Sequence, residues 1–243
     1  MRYLALLLGL LTTLPALAQS VYQPVPVVDE PGLVTVGLRA GVNGSSVVGR
    51  DVTDTLSTGG SARMKPGLMI GLNITSHLKP TLWLQHELWL QGQGAALRLR
   101  DENGQAYSSK LRLTYLTLFP ANVTLVRRNW QFYAGPYFSM GLSASIQRRD
   151  PAGNLYTDPS VFGSARLLTN YVSKIDAGLV VGLDYAFGGR WTLGLRLQRG
   201  VLPIWNENTQ IQSGQARIYN QSGTLSVGYR LSRPTTDGRF QTK

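Results

Sequence analysis

Residues 82 to 91 read LWLQHELWLQ. Leu82, Leu84, Leu88 and Leu90 share one parity, and Gln85, Glu87 and Gln91 share the other. A helix turning about 100° per residue would scatter these leucines, whereas a strand lines them along one face. The same two-residue period recurs in LVTVGLRAGV (33–42), GLMIGLNIT (67–75) and the stretch from Lys110 to Tyr115. It returns in WQFYAGPYFSMGLSAS (130–145), KIDAGLVVGLDY (174–185), WTLGLRLQ (191–198) and TLSVGYRL (224–231). With the 82–91 strand running on to Arg98 or Arg100, the pattern predicts eight strands. Pro120 interrupts the fourth and predicts a bulge or bend there.

The connections alternate in length. Polar stretches rich in Gly, Ser, Thr, Asp or Pro cover about 43–65, 147–172 and 201–217, and DENGQAY (101–107) is of medium length. Between them fall short turns at SHLKP (76–80), Arg127-Arg128-Asn129 and Gly188-Gly189. An even number of strands with alternating short and long connections is the mark of an outer-membrane barrel. Trp130, Tyr185, Phe187, Trp191 and Tyr229 gather at the short-turn ends, where an interfacial aromatic girdle is expected. The predicted fold is all-β: an eight-stranded antiparallel up-and-down transmembrane β-barrel over residues 33–231.

Charge fixes which face meets lipid. Were Arg39, Arg112, Arg196 and Arg230 turned outward at the membrane midplane, each would cost about 2–4 kcal/mol, and together about 8–16 kcal/mol. That rivals the stability of a whole domain. The leucine faces therefore point to lipid, Leu111, Leu113 and Tyr115 among them. The lumen receives a polar network of Arg39, Gln85, Glu87, Arg112, Asp176, Asp184, Arg196 and Arg230. Eight strands leave room inside for side chains and not for an aqueous channel. The network is read as a salt-bridge plug in preference to a narrow polar path.

The flanks carry their own signals. Arg2, the apolar run Leu4–Leu14 and Ala16-Leu17-Ala18 make residues 1–18 a secretory signal peptide, too short in its apolar run for a membrane anchor. Residues 19–32, with several prolines, form an extended lead-in, and 232–243 a polar tail. The chain has no cysteine, which excludes a disulfide framework and a lipid-anchored cysteine. Its net charge is +11. An exported chain is not expected to meet nucleic acid. The expected counter-charges are those of outer-membrane lipid and lipopolysaccharide, with Arg148, Arg149 and Lys174 flanking a long loop as candidates. An envelope protein partner of unspecified kind is also expected.

Candidate chemistry is sparse. The two histidines are His77, placed in a solvated short turn, and His86, in mid-strand on the leucine face. Nucleophilic catalysis needs a base beside a nucleophile, and Glu87 points away from His86. Two distant histidines without cysteine make no metal site. No phosphate-binding loop occurs, and no cofactor is expected. The expected role is non-enzymatic, structural or interactive, at the cell envelope. Two other readings stand beside it. One is a lipid-modifying barrel enzyme using a His/Ser pair near the outer leaflet. The other is a soluble lipocalin-like periplasmic ligand binder, which needs the leucines inward.

Several segments resemble the PorT-like outer-membrane β-barrel proteins. LQHELWLQGQGA resembles their L-Q-x-E-L…G segment, and YAGPYFSMGL their G-P-Y strand. DAGLVVGLDYAFGGRWTLGLRLQRGVLPI resembles their D-x-G-L…G strand with its turn and successor, and VGYRL their last strand. The resemblance implies an eight-stranded outer-membrane barrel and no particular activity. The chain departs from the family's usual pattern at His86 and at Leu231, where a proline and an aromatic residue are common.

Overall fold

The computed structural model describes residues 33–49, 62–100, 105–150, 152–159, 161, 172–204 and 217–231. The expected signal peptide (1–18), lead-in (19–32) and tail (232–243) lie outside the described residues. The strands are β1 (Val34–Val48), β2 (Lys65–Lys79), β3 (Leu82–Arg100), β4 (Ala106–Arg127), β5 (Trp130–Arg149), β6 (Leu155–Asp158), β7 (Ile175–Phe187), β8 (Trp191–Gly200) and β9 (Tyr219–Arg230). Eight of them close an antiparallel ring in the order β1-β2-β3-β4-β5-β7-β8-β9, and β9 pairs back onto β1. The short β6 lies outside the ring against Ile146–Arg149 of β5. The eight-stranded antiparallel barrel is thus as the sequence predicts. β6 was not foreseen, because it is a four-residue strand inside a polar connection.

The barrel has two parts of opposite polarity. Toward the short turns lies a belt whose outer face is apolar. Leu38, Leu72, Leu88, Leu118 and Phe138 are successive cross-strand neighbours there. They are 42, 49, 41, 46 and 53 % exposed, while Arg39, Glu87, Asp176, Asp184 and Arg196 are buried inside. This is inside-out for a barrel in water and is what a lipid-facing sheet requires. The soluble lipocalin-like arrangement, with leucines inward, is overturned by it. Trp130, Phe187 and Trp191 remain exposed at the turn end, and rings pack at a tilt in the pairs Trp130–Tyr185 and Trp191–Tyr229, with centroids 4.7 Å apart in each. The girdle therefore sits where the sequence places it.

Toward the long loops the polarity reverses, in a part we call the crown. Ala95, Leu97, Leu111, Leu113, Tyr115, Ala144, Ile146 and Ile218 point inward and form one buried apolar cluster. Val161, Val172 and Ile204, from the long connections, pack into the same cluster. The outer positions of β3 and β4 carry Arg98, Lys110 and Arg112, all exposed. This corrects two expectations. Leu111, Leu113 and Tyr115 do not face lipid, and Arg112 is not in the lumen. The physical reason is medium: above the hydrocarbon the outside of the sheet meets water, so its apolar side turns inward as in any soluble barrel.

Two bulges change which parity faces inward. Between Leu118 and Val123 the β4–β5 register slips by one, and inward residues change from odd (Tyr115, Thr117, Phe119) to even (Asn122, Thr124). Pro120, which donates no ladder hydrogen bond, sits at this break. In β5 a second slip opposite Thr114/Tyr115 follows Gly141, so that Phe138 and Met140 face out below it and Ala144 and Ile146 face in above it. Near the top of β3, where Gly94 takes φ 134°, the carbonyls of Gly92 and Gly94 are met from β1. Asn43 Nδ2 donates to Gly92 O at 2.8 Å, and Ser45 Oγ to Gly94 O at 3.0 Å. Small polar side chains thus continue β1 to Val48, through a segment whose composition suggested only a loop.

Candidate functional site

The lumen of the belt holds an ionic cluster drawn from four strands. Arg39 of β1 donates from Nη1 to Asp184 Oδ1 of β7 at 3.1 Å and also from Nη2 to Asp184 Oδ2. Its Nε lies 3.6 Å from Glu87 Oε1 of β3. Glu87 Oε2 in turn lies 2.5 Å from Arg196 Nη2 of β8. Two cations therefore alternate with two anions in an unbroken chain, and all four side chains are at most 3 % exposed. Taking each ion out of water costs several kcal/mol, which is recovered only when opposite charges and hydrogen bonds are in place.

Arg196 is also caged. Its Nε donates to Tyr133 OH at 2.9 Å. Its guanidinium carbon lies 3.9 Å from the ring centre of Trp89, 4.5 Å from that of Phe119 and 4.8 Å from that of Tyr133. Such stacking suits a planar, weakly hydrated cation. Glycines make the space. A Cβ on Gly182 would stand 2.2 Å from the Tyr133 ring, one on Gly71 2.3 Å from Trp89, and one on Gly194 2.4 Å from Asp184 Oδ1. Large inward side chains thus face glycines on neighbouring strands, which is how a narrow barrel is filled without voids.

A second polar group lies nearer the crown. Asp176 Oδ2 accepts from Asn220 Nδ2 at 2.9 Å and from Tyr137 OH at 3.2 Å. Gln91 Nε2 donates to Thr117 Oγ1 at 2.8 Å, and Thr117 shares a 2.8 Å hydrogen bond with Ser139. At the turn end Gln85 Nε2 donates to Gln131 Oε1 at 3.4 Å. A small cleft opens there, lined in part by Arg39, Gln85, Gln131, Arg190 and Arg230.

Of the eight network residues expected from sequence, the structure joins Arg39, Glu87, Asp184 and Arg196 in one cluster. Gln85 and Arg230 lie toward the turn-end mouth, Asp176 stands in its own group, and Arg112 is on the outer surface of the crown. Trp89, Phe119, Tyr133, Tyr137 and Asn220 were missed as partners. Their signal was the parity they share with Glu87, Asp176 and Thr224 on their own strands or across them. His77, expected in a solvated turn, is 1 % exposed inside β2, its ring 4.2 Å from that of Trp83. β2 runs to Lys79, so His77 still obeys the inward parity of the strand. His86 is on the outer face, and its Nδ1 meets the carbonyl of Pro120 at the β4 bulge. Among the described residues no three His, Asp or Glu side chains converge as metal ligands.

The model of a protein family described as "Outer membrane protein beta-barrel domain" matches residues 18–206. The chain belongs to this family. A search of curated sequences gave no match. Among solved structures, Neisserial surface protein A aligns with a TM-score of 0.46 at 12 % identity, over 81 % of this chain and 97 % of its own. The Yersinia pestis attachment invasion locus protein Ail, solved with the heparin analogue sucrose octasulfate, aligns at 0.40 and 10 % identity, over 83 % and 99 %. OprG from Pseudomonas aeruginosa aligns at 0.38 and 12 % identity, over 84 % and 98 %. This member of the outer-membrane barrel family therefore resides in the outer membrane, with its apolar belt in the bilayer.

Proposed function

We propose that this outer-membrane barrel is a closed, non-enzymatic member of the PorT-like kind, with a structural or interaction role at the cell envelope. The short turns face the periplasm and the long connections face outward, following the general rule for such barrels. The observation that carries the reading is the charge-compensated Asp184–Arg39–Glu87–Arg196 chain, packed by Trp89, Phe119 and Tyr133 across the lumen. Above it, Val161, Val172 and Ile204 from the outer connections fill the crown. Two plugs in series leave the lumen with no role as a wide pore. The remaining functional surface is the outside of the crown and the periplasmic mouth.

Planar-bilayer recording of the purified full-length protein tests this. The expected outcome is no steady conductance, and a stable open level in the wild type would overturn the closed-barrel reading. The lipid-modifying alternative has little support from the site. His86 faces lipid with its Nδ1 against the carbonyl of Pro120, and among the described residues no hydroxyl is hydrogen-bonded to it.

A further inference from the structure

The outer surface of the crown over β3 carries an unusual charge distribution. Arg63 bridges Ala96 of β3, and Ala96 pairs with Lys110 of β4, so Arg63 and Lys110 flank one position. Two pairs lower, on the same face, Gly94 faces Arg112, and two pairs higher Arg98 faces Ser108. Lys65 is close enough to feel the charges of both Arg112 and Lys110, but it sits on the inward face of β2, paired with the buried Ser45, and its Nζ donates to Gln93 O at 3.5 Å. Lys65 is half-buried, and the four others are exposed. The described carboxylates are engaged elsewhere. Glu87, Asp176 and Asp184 are buried in the lumen, Asp158 pairs with Arg148 at 2.9 Å, and Asp150 bonds Asn154.

Like charges on neighbouring strand positions repel, so an assembly of four on one face without a described acid between them is unfavourable by itself. Their floor is low. Gly92 and Ala96, both half-buried, and the buried Gly94 between them are the outward positions of β3 here, and they raise no side chain beyond a methyl group. Immediately below begins the lipid-facing belt, with Leu68 at 73 % exposure, Ile70 at 60 % and Leu90 at 44 %. The result is a shallow basic notch that is open toward the acyl chains.

We propose that this notch, formed by Arg63, Arg98, Lys110 and Arg112, binds the phosphorylated headgroup of the outer-leaflet glycolipid, lipopolysaccharide. The proposal rests on the outward-loop orientation given above, since the opposite orientation would bring the notch to the periplasmic leaflet. Arginine forks and lysine points bind phosphate oxygens by charge-assisted hydrogen bonds. The sugar ring lies on the glycine floor, and the acyl chains run down past Leu90 and Leu68. Basic residues near a charged membrane surface each add to retention of an anionic lipid.

The test places full-length protein in phosphatidylethanolamine nanodiscs containing either bisphosphorylated lipid A or its dephosphorylated form, and native mass spectrometry counts the retained glycolipid. The wild type is expected to retain the phosphorylated form at least about tenfold over the dephosphorylated one. The triple variant Arg98→Gln/Lys110→Gln/Arg112→Gln is expected to lose that preference. A matched variant at the turn end, Lys79→Gln/Arg127→Gln/Arg128→Gln, is expected to keep it. The single variant Arg112→Gln gives a partial loss and serves if the triple variant does not fold. No phosphate preference in the wild type, or equal loss in the two triple variants, overturns the proposal. Tight binding of a sulfated polysaccharide without preference for lipid A also overturns it. A band shift on boiling separates the failures. A wild type that shifts but lacks preference sinks the notch alone, whereas one that never shifts sinks the barrel reading beneath it.

Discussion

Leu72 in the belt is 49 % exposed, whereas Leu113 in the crown is 2 % exposed. Both lie in regular antiparallel ladders with the same period, and both have polar residues on the opposite face. What differs is the medium outside the sheet. In the belt, lipid takes the leucines and the lumen must satisfy charges with charges. In the crown, water takes the arginines and the lumen is an ordinary apolar core. One barrel thus contains two kinds of interior, held in one ladder. The bulges in β4 and β5 adjust the inward parity within the strands that cross from one to the other.

Replacing a lumen ion should break the belt most severely. Glu87→Leu leaves Arg196 without its carboxylate and is expected to destabilise the barrel by about 3–5 kcal/mol, the usual cost of stranding a buried charge. Urea unfolding from liposomes, followed by the boiling-dependent gel shift, measures it. A change within error would mean that the cluster is wetter than its burial indicates. A charge on the lipid face comes next. Leu72→Arg is expected to cost about 2–4 kcal/mol if the belt spans the bilayer centre. The smallest effect is expected on the crown's outside. Arg112→Leu should alter stability by no more than about 0.5 kcal/mol, as for other exposed substitutions. If Arg112→Leu were instead as costly as Leu72→Arg, the boundary between belt and crown would be misplaced.

Period and turn chemistry made the ring legible from sequence. The strand order, the connection lengths and the lipid face of the belt all follow from where Leu, Gly and Arg alternate. Arg39, Glu87, Asp184 and Arg196 were visible because each stands among leucines of the opposite parity. Arg112 has the same local pattern, with Leu111 and Leu113 beside it, yet it faces outward. Alternation tells which residues share a face, and only the surrounding medium tells which face is inside. The height of a strand above the bilayer is set by the whole ring and cannot be read within one strand. The aromatic cage was hidden for a related reason. Tyr133 and Arg196 are 63 residues apart and meet because Gly182 lies between them in the ladder.

The height of the crown also bears on how the barrel enters the membrane. β3 and β4 are 19 and 22 residues long, longer than the bilayer requires, and their far end carries Arg98, Lys110 and Arg112. An outer-membrane chain arrives from the periplasm, so in the orientation proposed above this hairpin tip must travel through the hydrocarbon before it can reach water again. These three side chains crossing unshielded would meet a barrier of about 6–12 kcal/mol at the midplane. With the long connections outward as proposed, passage of the β3–β4 hairpin is expected to be a slow step of insertion, one that favours a thinned bilayer or a catalysed route over spontaneous entry.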